Sequence, residues 1–144
     1  MLNKYYKNIK ILYVEDDEIA RENGIEYLEN YFEHIYEASD AIKALQLYEK
    51  HKPDIIITDI QMPKLNGLEF VKRIRQKDKK TQVIVITAFC DKSYLLKAIE
   101  LQLIKYLVKP VNEKEFEEAI FLCINALKSD EKNIIKLDEE TYFD

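Results

Sequence analysis

DIIITD, residues 54–59, runs through apolar side chains almost without alternation and stops on an acid, Asp59; IQMPKLNG then carries the chain to Gly67. Alternating patterns mark strands with one wet face, whereas continuous apolar runs mark strands covered on both faces, as in the middle of a parallel sheet. QVIVIT (Gln82–Thr87) has the same character. Further out lie IKILYVE (Ile9–Glu15), HIYEA (His34–Ala38) and IKYLV (Ile104–Val108), each short and rich in β-formers. The stretches between them have helical length and spacing. Asp40–Lys50 carries Ile42, Leu45 and Tyr48; Gly67–Lys77 carries Leu68, Val71 and Ile74; Asp91–Leu101 opens on an acidic cap candidate and carries Leu95, Ala98 and Ile99. The final stretch, Glu113–Lys128, has a stripe of Phe116, Ile120, Cys123 and Leu127, with Phe121 and Leu122 roughly 130° to either side, so both cannot be core. Five strands alternating with helices predict an α/β domain with a doubly wound parallel sheet.

The composition fits this reading. A chain of 144 residues, 47% hydrophobic and 34% charged, can bury one real core. Two glycines and three prolines exclude collagen-like and low-complexity chains. Cys90 and Cys123 are too few for a disulfide framework or a thiolate metal centre, and both sit in apolar surroundings as small buried thiols. Against 22 basic residues stand 27 acids, a net charge of −5, which makes the chain itself a poor binder of nucleic acid. No window has signal-peptide or membrane-spanning character, so a cytoplasmic protein with no membrane partner is expected.

In doubly wound sheets, ligands bind beyond the carboxyl ends of the strands. Here the first strand ends in Glu15-Asp16-Asp17, the third in Asp59, the fourth in Thr87 and the fifth in Lys109-Pro110. A strand-end acid is often only a helix cap, and a lone lysine only a solvated charge. Together, at successive strand ends, they describe chemistry. Converging carboxylates repel unless a hard cation joins them, and oxygen donors suit Mg²⁺. A carboxylate in such a place can attack a phosphoryl group, with a hydroxyl and an ammonium holding the remaining oxygens.

LYVEDDE, IITDIQMPKLNGLEF, VIVITA and YLVKP, in this order, resemble the receiver domain of two-component response regulators over residues 8–128. The pattern D-x-x-M-P-x-x-x-G, here Asp59, Met62, Pro63 and Gly67, is highly specific. The resemblance implies the flavodoxin-like fold, a five-stranded parallel sheet of order 2-1-3-4-5 with five helices. It implies Asp59 as phosphoacceptor, with Mg²⁺ held by Glu15, Asp16, Asp59 and the backbone carbonyl of Gln61. By register the acidic pair is Glu15 and Asp16, with Asp16 the direct ligand and Glu15 acting through water; Asp17 then starts or caps the first helix. Thr87 would bond the phosphoryl group, Lys109 would pair with it from a cis Lys109-Pro110 peptide, and Tyr106 would be the switch aromatic. The implied partner is a histidine kinase or phosphotransfer protein. The implied output is a changed surface on the fourth helix, fifth strand and fifth helix. Transcription through a DNA-binding domain outside this chain is the implied use of that surface.

The sequence also departs from the family. Gln102-Leu103-Ile104 replaces a common Gly-Ala pair before the fifth strand. Ala88 is the small residue expected after Thr87, while Gln61 and Phe89 flank the phosphoryl position. The charged pairs of one common receiver dimer are missing, with Ile104, Lys105 and Ala119 in their places, so a homodimer through that face would need apolar contacts such as Phe121 or Leu122. Residues 129–144 read as a linker followed by IIKLDEETYFD, the opening of an effector domain cut short or a tail packing on its own domain; as a strand it is expected to have no partner inside this chain. Two alternatives compete with the signalling receiver. One is a stand-alone docking receiver, which the intact acids, Thr87 and Lys109 disfavour. The other is a phosphatase of the haloacid-dehalogenase type, which needs a second acid two residues after its nucleophile, where this chain has Gln61. The implied protein is thus a phosphoacceptor that catalyses its own phosphorylation and dephosphorylation, not an enzyme acting on other substrates.

Overall fold

The computed structural model describes residues 2, 4–88, 92–129 and 141–142. In chain order the elements are β1 (Lys4–Val14), α1 (Glu18–Glu29), β2 (Phe32–Ala38), α2 (Ala41–His51), β3 (Ile55–Thr58), α3 (Gly67–Arg75), β4 (Gln82–Thr87), α4 (Lys92–Glu100), β5 (Lys105–Val108), α5 (Glu113–Lys128) and the short β6 (Thr141–Tyr142). The sheet order is β2-β1-β3-β4-β5, with every neighbouring pair parallel. Three successive registers, Val14 on Thr58, Thr58 on Val85 and Thr87 on Val108, bring the strand ends to a common edge.

The apolar runs are continuous because both faces of the sheet are covered. Ile11, Tyr13, Ile55, Ile57, Ile84 and Ile86 face one core, completed by Leu28 of α1 and Ala119, Ile120, Cys123, Ile124 and Leu127 of α5. Leu12, Val14, Ile56, Val83 and Val85 face the other, completed by Ala41, Ala44 and Tyr48 of α2 and Leu68, Val71 and Ile74 of α3. Side chains alternate across a strand, so each run feeds both cores. Helix ends are capped locally: Asp17, Asp40, Asn66 and Asn112 accept hydrogen bonds from backbone N–H groups of the first turns of α1, α2, α3 and α5.

Several expectations need correction. β1 begins at Lys4 and β2 at Phe32, earlier than the apolar pattern indicates, because Tyr6 stacks on Phe32 with ring centroids 5.3 Å apart. In α2, Ile42 is 40% exposed, and the buried face is Ala41, Ala44 and Tyr48, whose small members let the helix sit close to the sheet. In α4, Ile99 is 75% exposed, and among the side chains described Ala98 is the buried one. In α5, Phe116 is only half-buried at the edge of its core, Phe121 likewise packs against it, and Leu122 is exposed. The tail does have a strand partner, since Thr141 and Tyr142 pair antiparallel with Tyr5 and Lys4. The remaining expectations for 130–140, Phe89, Cys90 and the Asp91 cap lie outside the described residues. Cys123 is a buried thiol as expected, and no described helix is long and apolar enough to cross a membrane.

Candidate functional site

Glu15 and Asp16 leave β1, Asp59 leaves β3, Ala88 leaves β4 and Lys109 leaves β5, and all line one depression of about 550 Å³ at the carboxyl edge of the sheet. Asp59 is 7% exposed, and its Oδ2 lies 2.7 Å from Lys109 Nζ. The same ammonium donates to Glu15 Oε1 at 2.6 Å. Asp59 Oδ1 accepts from the Gln61 backbone N–H at 3.2 Å. Carboxylate oxygens of Glu15, Asp16 and Asp59 all lie within 4.8 Å of one another.

The electrostatics follow from burial. Glu15 is 3% exposed, and desolvation pushes its carboxyl up to about 6, the hydrogen bond from Lys109 only partly opposing this while Asp59 adds to it. Burial favours a neutral Lys109, but the hydrogen bonds to Asp59 and Glu15 outweigh it and hold the lysine protonated well above the usual range. Tyr13, two residues before Glu15, is raised to about 12 by burial and then by the Glu15 charge. One ammonium thus answers two buried acids, and Glu15 Oε2 is buried with no hydrogen-bond partner. An orphaned buried carboxylate oxygen beside two further carboxylates fits a site built for a divalent cation with oxygen ligands.

Both glycines of the chain serve close approach. A Cβ on Gly67 would overlap the Asp59 carbonyl oxygen, so the start of α3 rests against the backbone of Asp59; Gly67 N–H also donates to Ile60 O at 2.7 Å. A Cβ on Gly24 would overlap the Tyr13 ring. The left-handed backbone falls instead on Lys52, Lys64 and Gln102. Gln102 lies in the departed loop before β5, where the Arg75 side chain donates to Leu101 O at 2.8 Å and Gln102 O at 3.2 Å.

Each residue implied by the resemblance has a definite place. Glu15, Asp16, Asp59, Gln61 and Lys109 come together, and the Lys109-Pro110 peptide is cis. Asp17 caps α1 by accepting from Ile19 N–H at 3.2 Å. Thr87 is fully buried at the end of β4 and does not line the depression. Tyr106 is half-buried, on a separate apolar groove with Leu95, Ala98 and Ile99. Sequence reasoning missed Asn66 and Tyr94, which line the depression, and Arg21, whose guanidinium bonds the Glu15 carbonyl. Only the folded geometry reveals these, apart from the cap propensity of Asn66.

The profile of the family described as "Response regulator receiver domain" matches residues 11–121. The chain belongs to this family. The receiver is 33% identical over 121 residues to an uncharacterized response regulatory protein of Staphylococcus epidermidis, covering 82% of this chain and 47% of that protein. It is 33% identical over 122 residues to the transcriptional regulatory protein HptR of Staphylococcus aureus, with the same coverage. The receiver thus spans about half the length of the curated relatives it matches. Among solved structures, the N-terminal domain of an uncharacterized protein from Wolinella succinogenes is 41% identical, with a TM-score of 0.78, covering 85% of this chain and 99% of that one. A CheY-like receiver domain protein from Methanospirillum hungatei superposes with a TM-score of 0.80 at 21% identity, a likeness of fold over 85% of the receiver and 98% of that chain.

Proposed function

We propose that this receiver accepts a phosphoryl group onto Asp59 from a phosphohistidine of a histidine kinase or phosphotransfer protein. The observation that carries the reading is a buried Asp59 carboxylate bonded to the Lys109 ammonium, with carboxylate oxygens of Glu15 and Asp16 within 4.8 Å. An Asp59 oxygen forms the new bond to phosphorus, the phosphorus–nitrogen bond breaks, and the electron pair leaves with the imidazole. Glu15, Asp16, Asp59 and the Gln61 carbonyl would hold Mg²⁺, which when bound offsets negative charge on the phosphoryl oxygens. Lys109 is protonated and already bonded to Asp59, so it follows the new charge onto the phosphoryl oxygens. The Gln61 N–H, bonded to Asp59 Oδ1, helps fix the direction of the nucleophile.

The signal then passes to the face of α4, β5 and α5. Bonds from Thr87 and Lys109 to phosphoryl oxygens exist only with phosphate present, and a modification shifts states only by such differential interactions. Thr87 ends β4 beside β5, and Tyr106 two residues before Val108 lies on the groove against α4. Phosphorylation draws Thr87 toward Asp59, and Tyr106 turns inward. Exposed Leu96, Ile99 and Leu122 give this face apolar groups to offer a partner or a second copy. Control of transcription by a DNA-binding segment outside this chain is the output that the naming of the relatives supports.

The test is incubation with acetyl phosphate and Mg²⁺, read by intact mass. One phosphoryl group should add to the wild type and none to Asp59→Asn. Equal labelling of Asp59→Asn, or full labelling in excess chelator, overturns the assignment. For the switch, beryllofluoride should shift the amide signals of Tyr106 and α4; shifts confined to the Asp59 loop overturn it.

A further inference from the structure

We propose that Arg21 is the positioning residue of the acidic pair, fixing the peptide that joins Glu15 to Asp16 and through it the place of the Asp16 carboxylate. Arg21 lies one turn into α1, its backbone N–H donating to Asp17 O at 2.9 Å. Its Nη1 donates to the Glu15 carbonyl oxygen at 2.8 Å, and its Nε donates to Glu37 Oε1 at 3.2 Å. Glu37 belongs to β2, and its neighbour Ala38 accepts the Glu15 N–H at 3.0 Å. The Glu15 backbone is therefore bonded on both sides, and both bonds lead to the same end of β2. Arg21 closes this circuit between strand ends and first helix with one planar guanidinium serving two acceptors, a task an ammonium on a flexible stem performs poorly.

The circuit matters because of what it holds. The Glu15 carbonyl and the Asp16 N–H belong to one rigid peptide plane, so fixing that carbonyl fixes the direction in which the chain departs toward Asp16. Glu15 and Asp59 are buried and share Lys109. Asp16 is exposed, and among the described residues no group bonds its carboxylate. Its presence within 4.8 Å of the other two carboxylates rests on its backbone. Arg21 touches none of the three carboxylates, so its effect is exerted through position.

Charge and position predict opposite signs, which makes the idea testable. It rests on the reading of this cluster as a Mg²⁺ site. Removing a cation beside three acids should tighten Mg²⁺ binding if charge alone matters, whereas loss of the positioning bonds should weaken it, by about tenfold as for other outer partners of metal ligands. We would titrate Mg²⁺ by calorimetry into wild type, Arg21→Gln and Arg21→Lys, following folding by thermal melting. Weaker binding by both variants supports the proposal. Arg21→Lys keeps charge and helix propensity and so provides a folded variant should Arg21→Gln fail to fold. Unchanged or tighter binding by a folded Arg21→Gln, or wild-type affinity in Arg21→Lys, overturns it. Absence of Mg²⁺ binding by the wild type would instead overturn the reading of the site.

Discussion

The Cα of Gly67 rests against the carbonyl oxygen of Asp59, with no room for a side-chain carbon between them. The final glycine of the D-x-x-M-P-x-x-x-G pattern therefore serves contact rather than a left-handed turn, since its backbone is ordinary. Gly67→Ala must push α3 away from the peptide that carries Asp59. The expected cost is about 3 kcal/mol of stability, read as a lower urea midpoint, together with slower labelling by acetyl phosphate. An alanine variant as stable as the wild type would show that α3 can shift freely.

Asp16 and Asp17 should separate cleanly. Asp17 caps α1, so Asp17→Ala should cost about 1 kcal/mol in folding with little change in Mg²⁺ affinity. Asp16 lies in the carboxylate cluster and caps nothing, so Asp16→Ala should weaken Mg²⁺ binding with little change in stability. Calorimetric titration and thermal melting of the two variants, with the effects reversed, would place the acidic pair one residue later.

Glu15 sets a pH dependence of folding. Its carboxyl is raised from the ordinary 4.5 to about 6, so in that window the folded protein holds a proton that the unfolded chain has released. Stability from this group therefore falls as pH rises from about 4.5 through 6, on the order of 2 kcal/mol. Lys109 stays protonated throughout the window and does not reverse the sign. In excess chelator, urea midpoints of the wild type should decline relative to Glu15→Gln across this range; a relative rise would contradict the burial argument.

Arg75 ties α3 to the loop before β5. Its side chain donates to Leu101 O, Gln102 O and Asp78 O at 2.8, 3.2 and 3.1 Å. Arg75→Ala leaves three carbonyls without that donor and should cost about 2 kcal/mol. Hydrogen exchange should quicken at Leu101 and Gln102, whose N–H groups close the end of α4 on Ala98 O and Ile99 O. Unaltered exchange there would show the loop to be held by other contacts.

The sequence made the strands and the site legible for one shared reason. Central parallel strands are apolar on both faces, so Gln82–Thr87 has sharp edges, and the polar residue ending each run is already at the functional edge. Helix faces were harder to read. In α2, Ile42-Leu45 and Ala41-Ala44 have the same spacing, and hydrophobicity favours the isoleucine, while close packing on the sheet favours the alanines. Contacts between distant segments left no periodic trace: the Arg21–Glu37 bond joins a helix to a neighbouring strand, and the need for Gly67 comes from a carbonyl eight residues earlier.

The unbonded Glu15 Oε2 has a practical consequence for anyone breeding this protein for yield. A buried acid sharing one lysine with another acid costs stability, and well-packed neutral residues in such places often give sturdier folds. A library of variants screened only for expression would enrich replacements of Glu15, and on the function proposed above its winners would accumulate well while holding Mg²⁺ and accepting phosphate poorly. Selection on abundance and selection on signalling thus pull this position in opposite directions.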